Sequence, residues 1–169
     1  LLLGGDTACL WEGRVTQLGP TAEVYRAPAD ATTARVFSDP PMNFLAVEKA
    51  AGELRFAARA AVPVPARFAD LPDGRYTAGI RPAHLDVERA HAGEIAFPVT
   101  VAITEITGSE SFIHVDHGDR RWVALLHGVR EFPIGSEREV FMDPARLFLF
   151  DADGRLATGA EQIGRASCR

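Results

Sequence analysis

The chain has 169 residues, of which 47% are hydrophobic and 24% are charged, and its formal net charge is −5. This composition is typical of a globular protein with a sizeable core, and the acidic balance disfavours nucleic acid as a partner. No run reaches the roughly 18 apolar residues that a membrane-spanning helix needs, and the opening LLLGG lacks the basic flank of a signal peptide. We therefore expect a cytoplasmic protein, and the initial Leu1 indicates a fragment of a longer product.

The first predicted element is a β-hairpin over Thr7 to Gly19 that turns at Glu12-Gly13. Its arms carry four large apolar side chains, Leu10, Trp11, Val15 and Leu18. A lone hairpin is only marginally stable in water. We therefore expect this one to pack against a larger unit upstream.

Two short helices are predicted next. Thr21 is the expected N-cap of the first helix, which Pro28 ends, and Asp30 is the expected N-cap of the second. The second helix runs through Phe37 and ends before Pro40-Pro41, because the residue before a proline avoids the α conformation.

Short strands separated by turn residues dominate the rest of the chain. Before residue 95 the pattern predicts four features in order: a hairpin of Phe44–Val47 and Leu54–Ala58 across Ala51-Gly52, a loop with one edge strand over Ala60–Asp73, a strand over Tyr76–Arg81 that Pro82 ends, and a connector over His84–Glu94.

The stretch from Ile95 to Phe150 carries the strongest β pattern. Large apolar side chains recur at every second position, at Phe97, Val99, Val101 and Ile103, and again at Ile113 and Val115. Further strands are expected over Trp122–Leu126, Val140–Met142, Leu147–Phe150 and, as a last short strand, Leu156-Ala157. About five strands at this spacing predict a mainly β fold that forms a small barrel or sandwich.

A search for catalytic motifs finds none. Neither GxxxxGK[ST] nor GxGxxG occurs, so we expect no nucleotide hydrolysis and no bound cofactor. Four residues, Ser109, Ser111, His114 and Asp116, have the types of a nucleophilic triad, but the GxSxG elbow is missing. Polar turn residues beside a strand are the favoured interpretation.

Metal binding is not predicted either. His114, Asp116, His117 and Asp119 are possible ligand types, yet on an extended strand His117 points away from the face that His114 and Asp116 share. The two cysteines, Cys9 and Cys168, lie near opposite ends, and two reduced thiols are expected.

Two further groups have an ordinary structural interpretation. Trp122, beside Arg120-Arg121, could stack on a ligand or a partner, but core packing is the favoured role of an aromatic residue at the start of a strand. Glu137, Arg138 and Glu139 are expected to form a solvated strand face.

Four segments resemble, in order and spacing, the ATP-binding subunits of bacterial ABC importers for sugars and glycerol-3-phosphate. They are GRVTQLGPTAEVYRAP, ARVFSDPPMNFL, YTAGIRPAHLDV and VAITEITGSESFIHV. The resemblance is to the C-terminal half of those subunits and covers about Ala8 to about Leu156. One departure is Ala83, where the family commonly has a glutamate that could pair with Arg81.

The resemblance implies a division into four parts. Residues 1–19 would be the terminal hairpin of a missing nucleotide-binding domain, carrying the family's Gly13, Arg14, Gln17 and Gly19. Residues 20–43 would be a helical connector, residues 44–158 an OB-like regulatory barrel of the transport-associated OB (TOBE) type, and residues 159–169 a disordered tail.

The resemblance also implies a function and partners. The fragment would be a non-catalytic regulatory and dimerisation domain in a complex at the inner face of the cell membrane. It would meet a second copy of itself and possible cytoplasmic regulators, and would contact membrane subunits through the missing domain, which would bind ATP and Mg. The candidate dimer surface comprises Arg81, His84, Ser109, Glu110, Phe112, Trp122 and Phe132. The alternative is an OB-like domain that senses a small ligand or an oxyanion.

Overall fold

The computed structural model describes residues 4–56 and 61–157. Its strands are β1 (Asp6–Trp11), β2 (Arg14–Pro20), β3 (Asn43–Ala50), β4 (Glu53–Phe56), β5 (Ala61–Pro63), β6 (Gly74–Ile80), β7 (Leu85–Asp86), β8 (Ile95–Ile106), β9 (Glu110–His117), β10 (Arg120–His127), β11 (Glu137–Met142) and β12 (Phe148–Phe150). Two helices, α1 (Thr21–Arg26) and α2 (Ala31–Val36), connect β2 to β3. None of the helices in these ranges is long and apolar enough to cross a membrane.

The strands form one two-stranded hairpin and two five-stranded antiparallel sheets. The strand orders are β1-β2, β10-β9-β8-β11-β7 and β12-β6-β3-β4-β5. In the second sheet the outermost strands β7 and β10 lie close to each other, so this sheet curls into a nearly closed barrel. The predicted mainly β, OB-like fold is therefore confirmed.

One continuous hydrophobic core joins the two five-stranded sheets. Phe97, Val99 and Val101 are buried, as the alternation predicts, and so are Ile113 and Val115 on the neighbouring strand. Because successive side chains on a strand point to opposite faces, each of these strands gives one face to the core.

Ile103 is the exception to the predicted alternation. A bulge lies between Val101 and Ile103 in the pairing of β8 with β9. The extra residue reverses the order of inward and outward positions, so that Ile103 is 44% exposed. The prediction that Ile103 is buried is wrong for this reason.

The hairpin and the helices keep the predicted order but differ at one cap. Glu12 and Gly13 both have positive φ, which suits the predicted turn, and Asp30 Oδ1 accepts a hydrogen bond from the Thr33 N–H at 2.7 Å. Thr21 is not an N-cap, because helix α1 begins at Thr21 itself. Its hydroxyl instead shares a 2.7 Å hydrogen bond with that of Thr7.

The expected last strand is reduced to two isolated bridges, which join Arg155 to Asp30 and Leu156 to Phe150. Several predictions lie outside the described residues: the end of the strand predicted over Leu54–Ala58, the start of the loop at Ala60, the thiol of Cys168 and the tail over 159–169. The four-part domain division stays a prediction.

A second, small cluster joins the helices to the barrel. Ala34, Met42 and Phe150 are its buried members. Gly79 allows this close approach, because a Cβ at that position would lie 2.6 Å from Met42 Sδ and 3.0 Å from the Phe150 ring. The connector therefore packs directly on strand β6.

Candidate functional site

Two of the seven residues predicted for an interaction surface are buried inside the chain. Arg81 is 3% exposed and Trp122 is 1% exposed. The Trp122 ring packs against Phe97, with ring centroids 5.3 Å apart, and against His117 at 4.7 Å. The prediction that Arg81 and Trp122 belong to an exposed surface is therefore wrong.

Four of the other predicted residues, Ser109, Glu110, Phe112 and Phe132, lie at one end of the barrel. There the loop between β10 and β11 runs beside the far half of β8. Gly128 N donates to Ser109 O at 2.8 Å, Gly135 N donates to Val101 O at 2.8 Å, and Thr104 Oγ1 donates to Phe132 O at 3.4 Å. These bonds hold the loop against the barrel.

Exposed apolar side chains occur on both faces of β8 at this end, because Ile103 pairs with His114 and Ile106 pairs with buried Ser111 on the opposite face. Ile103, Ile106, Val129 and Ile134 are between 43% and 74% exposed, and Phe112 and Phe132 are half-buried. We call these six residues the rim patch: Ile103, Ile106, Phe112, Val129, Phe132 and Ile134. Glu105 pairs with Phe112 in the sheet and makes a 3.1 Å contact with His114 Nε2, so polar groups border the patch.

Sequence reasoning missed most of the rim patch. Ile103 was expected in the core, and Ile106, Val129 and Ile134 were not singled out. The sequence does contain a signal that could have identified part of the patch. Val129 and Ile134 are large apolar residues next to glycines, in a loop where polar residues are usual.

Arg81 links the connector to the barrel from inside. Its guanidinium donates to Tyr25 O in the last turn of α1 and to Phe37 O at the end of α2. It also lies 3.6 Å from the centroid of the Tyr25 ring and 5.3 Å from that of Phe148. Burial lowers the pKa of Arg81, yet its high intrinsic pKa keeps it charged. The guanidinium thus satisfies carbonyls that the short helices leave free.

His84 is half-buried and lies away from the rim patch, near Arg81, Arg146 and Asp143. Burial lowers the pKa of His84, and the nearby positive charges of Arg146 and Arg81 lower it further, while Asp143 acts in the opposite direction. Its Nδ1 has no hydrogen-bond partner among the described residues. We assign this histidine no place in an exposed surface.

The hairpin presents a separate apolar face. Leu10 pairs with Val15 and Ala8 with Leu18, and directly paired residues share a face of the ribbon. Leu10, Val15 and Leu18 are 60%, 57% and 70% exposed. Cys9 on the opposite face is buried, and strand β1 packs against α2. Within residues 4–56 and 61–157 the hairpin is therefore covered on one side only.

Four of the residues considered for a triad or a metal, Ser111, His114, Asp116 and His117, have structural partners. Buried Ser111 donates its hydroxyl to Gly128 O at 2.8 Å and accepts from Arg130 N at 2.9 Å. The Arg121 guanidinium donates twice to Asp116, at 2.9 and 3.0 Å, and holds the pKa of that carboxyl below its ordinary value. Within the described ranges no group of three or more His, Cys, Asp or Glu side chains is placed to hold a metal.

Two open clefts differ in charge. The larger, of about 710 Å³, lies over β8 and β11, and we call it the acidic cleft because Asp116, Glu137 and Glu139 line it with only one cation, Arg138. Glu137, Arg138 and Glu139 are exposed, as predicted. The smaller cleft, of about 300 Å³, lies between the connector and the barrel. We call it the arginine cleft, and it is lined by Arg35, Met42, Asn43, Phe44, Arg120, Arg121 and Trp122.

Comparison with known proteins yields both a domain family and longer relatives. Residues 78–150 match the TOBE domain family. An uncharacterized ABC transporter ATP-binding protein of Sinorhizobium fredii is 36% identical over 90% of this chain and 40% of its own length. An sn-glycerol-3-phosphate import ATP-binding protein of Paracoccus denitrificans is 32% identical over 88% of this chain and 41% of its own. The chain thus spans about two fifths of the length of these curated relatives.

Among solved structures, similarity is found to the cytoplasmic molybdate-binding protein ModG with molybdate bound. The TM-score is 0.48 and the sequence identity is 10%, with 63% of this chain and 94% of that chain covered.

Proposed function

Because residues 78–150 form a TOBE domain and the chain is homologous to the C-terminal part of ABC-importer ATP-binding proteins, we propose that it is the regulatory and dimerisation part of such a subunit. In this proposal the chain performs no chemistry itself. An upstream nucleotide-binding domain binds ATP and Mg and contacts the membrane subunits, at the inner face of the cell membrane. The barrel holds two subunits together while the ATPase domains open and close.

The rim patch supports dimerisation. It places four exposed aliphatic side chains and two half-buried aromatic rings at one end of the barrel, with Glu105, Glu110 and Arg138 at its edge. Specific protein interfaces have this composition, with an apolar centre inside a polar border. A second copy of the chain that presents the same patch would bury these side chains about a twofold axis.

The apolar face of the hairpin supports attachment to an upstream domain. Exposed apolar patches are typical of interaction sites, and among the described residues only the Cys9 face of this hairpin is covered. The hairpin face and the rim patch belong to different elements, so one subunit can use the first toward its own ATPase domain and the second toward its twin.

Sedimentation of the purified chain across a range of concentrations tests dimerisation. We expect a monomer–dimer equilibrium, and the double variant Ile106→Ser/Ile134→Ser should raise its dissociation constant at least about tenfold, because each lost aliphatic contact occurs on both subunits. The matched control is Val15→Ser on the hairpin, where 57% of the side chain is exposed. A monomer at every concentration, or a dimer that only Val15→Ser weakens, would contradict the proposal.

A second test concerns the ATPase. The chain by itself should release no phosphate from ATP above the buffer background, and the coding sequence upstream of Leu1 should contain a phosphate-binding loop. Turnover by the chain alone would contradict the assignment of hydrolysis to another domain, and so would an upstream sequence that lacks such a loop.

The three arginines that line the arginine cleft favour a second candidate function, the sensing of an oxyanion. The acidic cleft is unsuited to anions, because three carboxylates line it, whereas the arginine cleft is suited to them. This candidate does not compete with dimerisation, since the arginine cleft and the rim patch share no residue.

A further inference from the structure

The arginine cleft concentrates positive charge on an acidic protein. Three of its seven lining residues are arginines and none is Asp or Glu, although the whole chain has a net charge of −5. Arg35 comes from α2, and Arg120 and Arg121 come from β10, so residues far apart in sequence meet where the connector touches the barrel. Charge of one sign in a concave site attracts ligands of the opposite sign.

Two of the three guanidinium groups have no acidic partner in the part of the chain that the structure describes. Arg121 is bound on both forks by Asp116. Arg120 Nη1 donates only to the backbone, to Phe44 O at 3.1 Å, and the Arg35 guanidinium lies 5.1 Å from the centroid of the Phe44 ring. Among the described residues neither Arg35 nor Arg120 forms a salt bridge. Most of their donors therefore remain available to a ligand.

Hydrogen bonds hold the wall of the cleft together, and one lining residue has a buried donor with no acceptor among the described residues. Asn43 clamps β3 to β10, because its side chain accepts from Val123 N and donates to Val123 O, both at 2.8 Å. The indole Nε1 of Trp122 is buried and has no hydrogen-bond partner among the described residues. Three buried side-chain atoms among the described residues lack a hydrogen-bond partner, and of these three residues Trp122 alone lines one of the two clefts.

We propose that the arginine cleft binds a phosphate group, either as inorganic phosphate or as a small phosphate monoester. Guanidinium groups match the oxygens of phosphate with paired, charge-assisted hydrogen bonds. The two arginines that lack acidic partners match the two negative charges of phosphate near neutral pH. Met42 and Phe44 provide an apolar wall for a small organic substituent, and a volume of about 300 Å³ limits the ligand to a small molecule.

A ligand held in this way would bridge two parts of the molecule. It would contact Arg35 on the connector and Arg120 on the barrel at the same time, in addition to the internal link made by Arg81. Occupancy would therefore tighten the junction between α2 and β10. This inference deepens the second candidate function, the sensing of an oxyanion. It does not depend on dimerisation, because a monomer has all the residues that the cleft needs.

Tryptophan fluorescence provides a direct readout of the cleft. The chain has two tryptophans, so Trp11→Phe leaves Trp122 as the sole emitter. We expect titration with phosphate, at constant ionic strength and pH 7.5, to change the Trp122 emission in a saturable way, while chloride at matched ionic strength does not. Phenyl phosphate that binds more tightly than inorganic phosphate would identify a monoester site, and equal affinities would identify a site for free phosphate.

Substitutions in the same Trp11→Phe background locate the binding. Arg35→Gln and Arg120→Gln should each weaken phosphate binding about ten- to hundredfold, as expected for the loss of hydrogen bonds to a charged group. The matched control is Arg75→Gln, an exposed arginine on β6, which should bind like the parent. Circular dichroism melts establish that each variant is folded.

Three results would overturn the proposal. The first is an emission change that chloride reproduces, and the second is a titration that does not saturate at phosphate concentrations up to about 50-fold above the roughly millimolar range of weak anion sites. The third is an equal affinity for phosphate in Arg35→Gln, Arg120→Gln and the parent. Sedimentation of the same samples keeps this result separate from the dimerisation test. Loss of the dimer with phosphate binding intact would contradict only the proposed function, and the converse would contradict only the arginine cleft.

Discussion

The barrel and the hairpin with its connector are stabilised in different ways. The barrel and the five-stranded sheet that packs against it share one continuous apolar core, in which Phe97, Ile113 and Leu149 are fully buried. The hairpin and connector have only a small apolar cluster, to which side-chain hydrogen bonds are added, such as Gln17 Oε1 accepting from Ala29 N at 2.7 Å and Thr33 Oγ1 donating to Thr16 at 2.8 Å. The difference indicates that the barrel carries its own stability, whereas the first part of the chain depends on attachment.

The two tryptophans give the sharpest test of this comparison. Trp122 is 1% exposed in the barrel core and Trp11 is 45% exposed on the hairpin. We expect Trp122→Ala to lower the free energy of unfolding by about 3–5 kcal/mol, because it leaves a large cavity. Trp11→Ala should cost less than about 1 kcal/mol. Urea denaturation of both variants checks this, and equal losses would show that the hairpin belongs to the same cooperative core.

Removing Arg81 should break the link between the two regions. Arg81→Met leaves buried carbonyls of Tyr25 and Phe37 without their donor, which we expect to cost about 2–4 kcal/mol. Arg81→Lys should recover only part of this, because an ammonium lacks the planar fork of the guanidinium. The exposed Arg75→Met is the matched control, with an expected loss below about 0.5 kcal/mol.

The alkylation rate of the Cys9 thiol shows whether the stability lost in Arg81→Met is lost in the hairpin and connector. Burial raises the pKa of the Cys9 thiol, and Asp30 raises it further, so alkylation in the folded protein should be slow. In a Cys168→Ser background, Arg81→Met should accelerate alkylation of Cys9 by about tenfold or more, in line with the lost stability. An unchanged rate beside a lowered melting temperature would show that Arg81 stabilises only the barrel.

The cap of helix α2 should have a smaller effect that is confined to the connector. Asp30→Ala removes the acceptor for Thr33 N and should cost about 1 kcal/mol. Asp39→Ala, at an exposed position after the helix, is the control and should be nearly neutral. A loss at Asp30 as small as that at Asp39 would show that the connector is held by packing alone.

The smallest expected effect is a pH dependence from His84 in the barrel. Its pKa is lowered in the folded state, so the unfolded chain binds the proton more readily. The stability is therefore complete above the ordinary histidine pKa of about 6.5 and decreases as the pH falls from there through the lowered folded-state value. His84→Gln should reduce the difference between melts at pH 7.5 and pH 5.5, and His127→Gln, at an exposed residue, is the control. A difference unchanged by His84→Gln would assign the pH response to other groups.

Local patterns in the sequence were sufficient for much of the fold. Alternation identified the buried faces at Phe97 to Val101 and at Ile113 and Val115, and positive-φ turns were placed at Glu12-Gly13 and Ala51-Gly52. The N-cap Asp30 was also predicted correctly. These features depend on neighbours a few residues apart, and the order of four sequence segments was enough to predict the similarity to ABC-importer ATP-binding proteins that the comparisons find.

The candidate surfaces depended on contacts between distant residues. One bulge turned Ile103 from the core to the rim patch. Packing of the connector enclosed Arg81, which sequence reasoning had placed on the surface. Trp122 packs on Phe97 and His117 in the core, the role that sequence reasoning favoured for it although it also included Trp122 in the candidate surface.

By itself, then, the sequence determined the mainly β class, the turns, the lack of a phosphate-binding loop and the similarity to ABC-importer ATP-binding proteins. Only the tertiary structure decided that Ile103 is exposed and that Arg81 is buried, and only it brought Arg35 and Arg120 to the same cleft. The physical reason is that side-chain direction within a strand repeats locally, whereas burial depends on strand register and on which sheets pack together, which involve residues far apart in the chain.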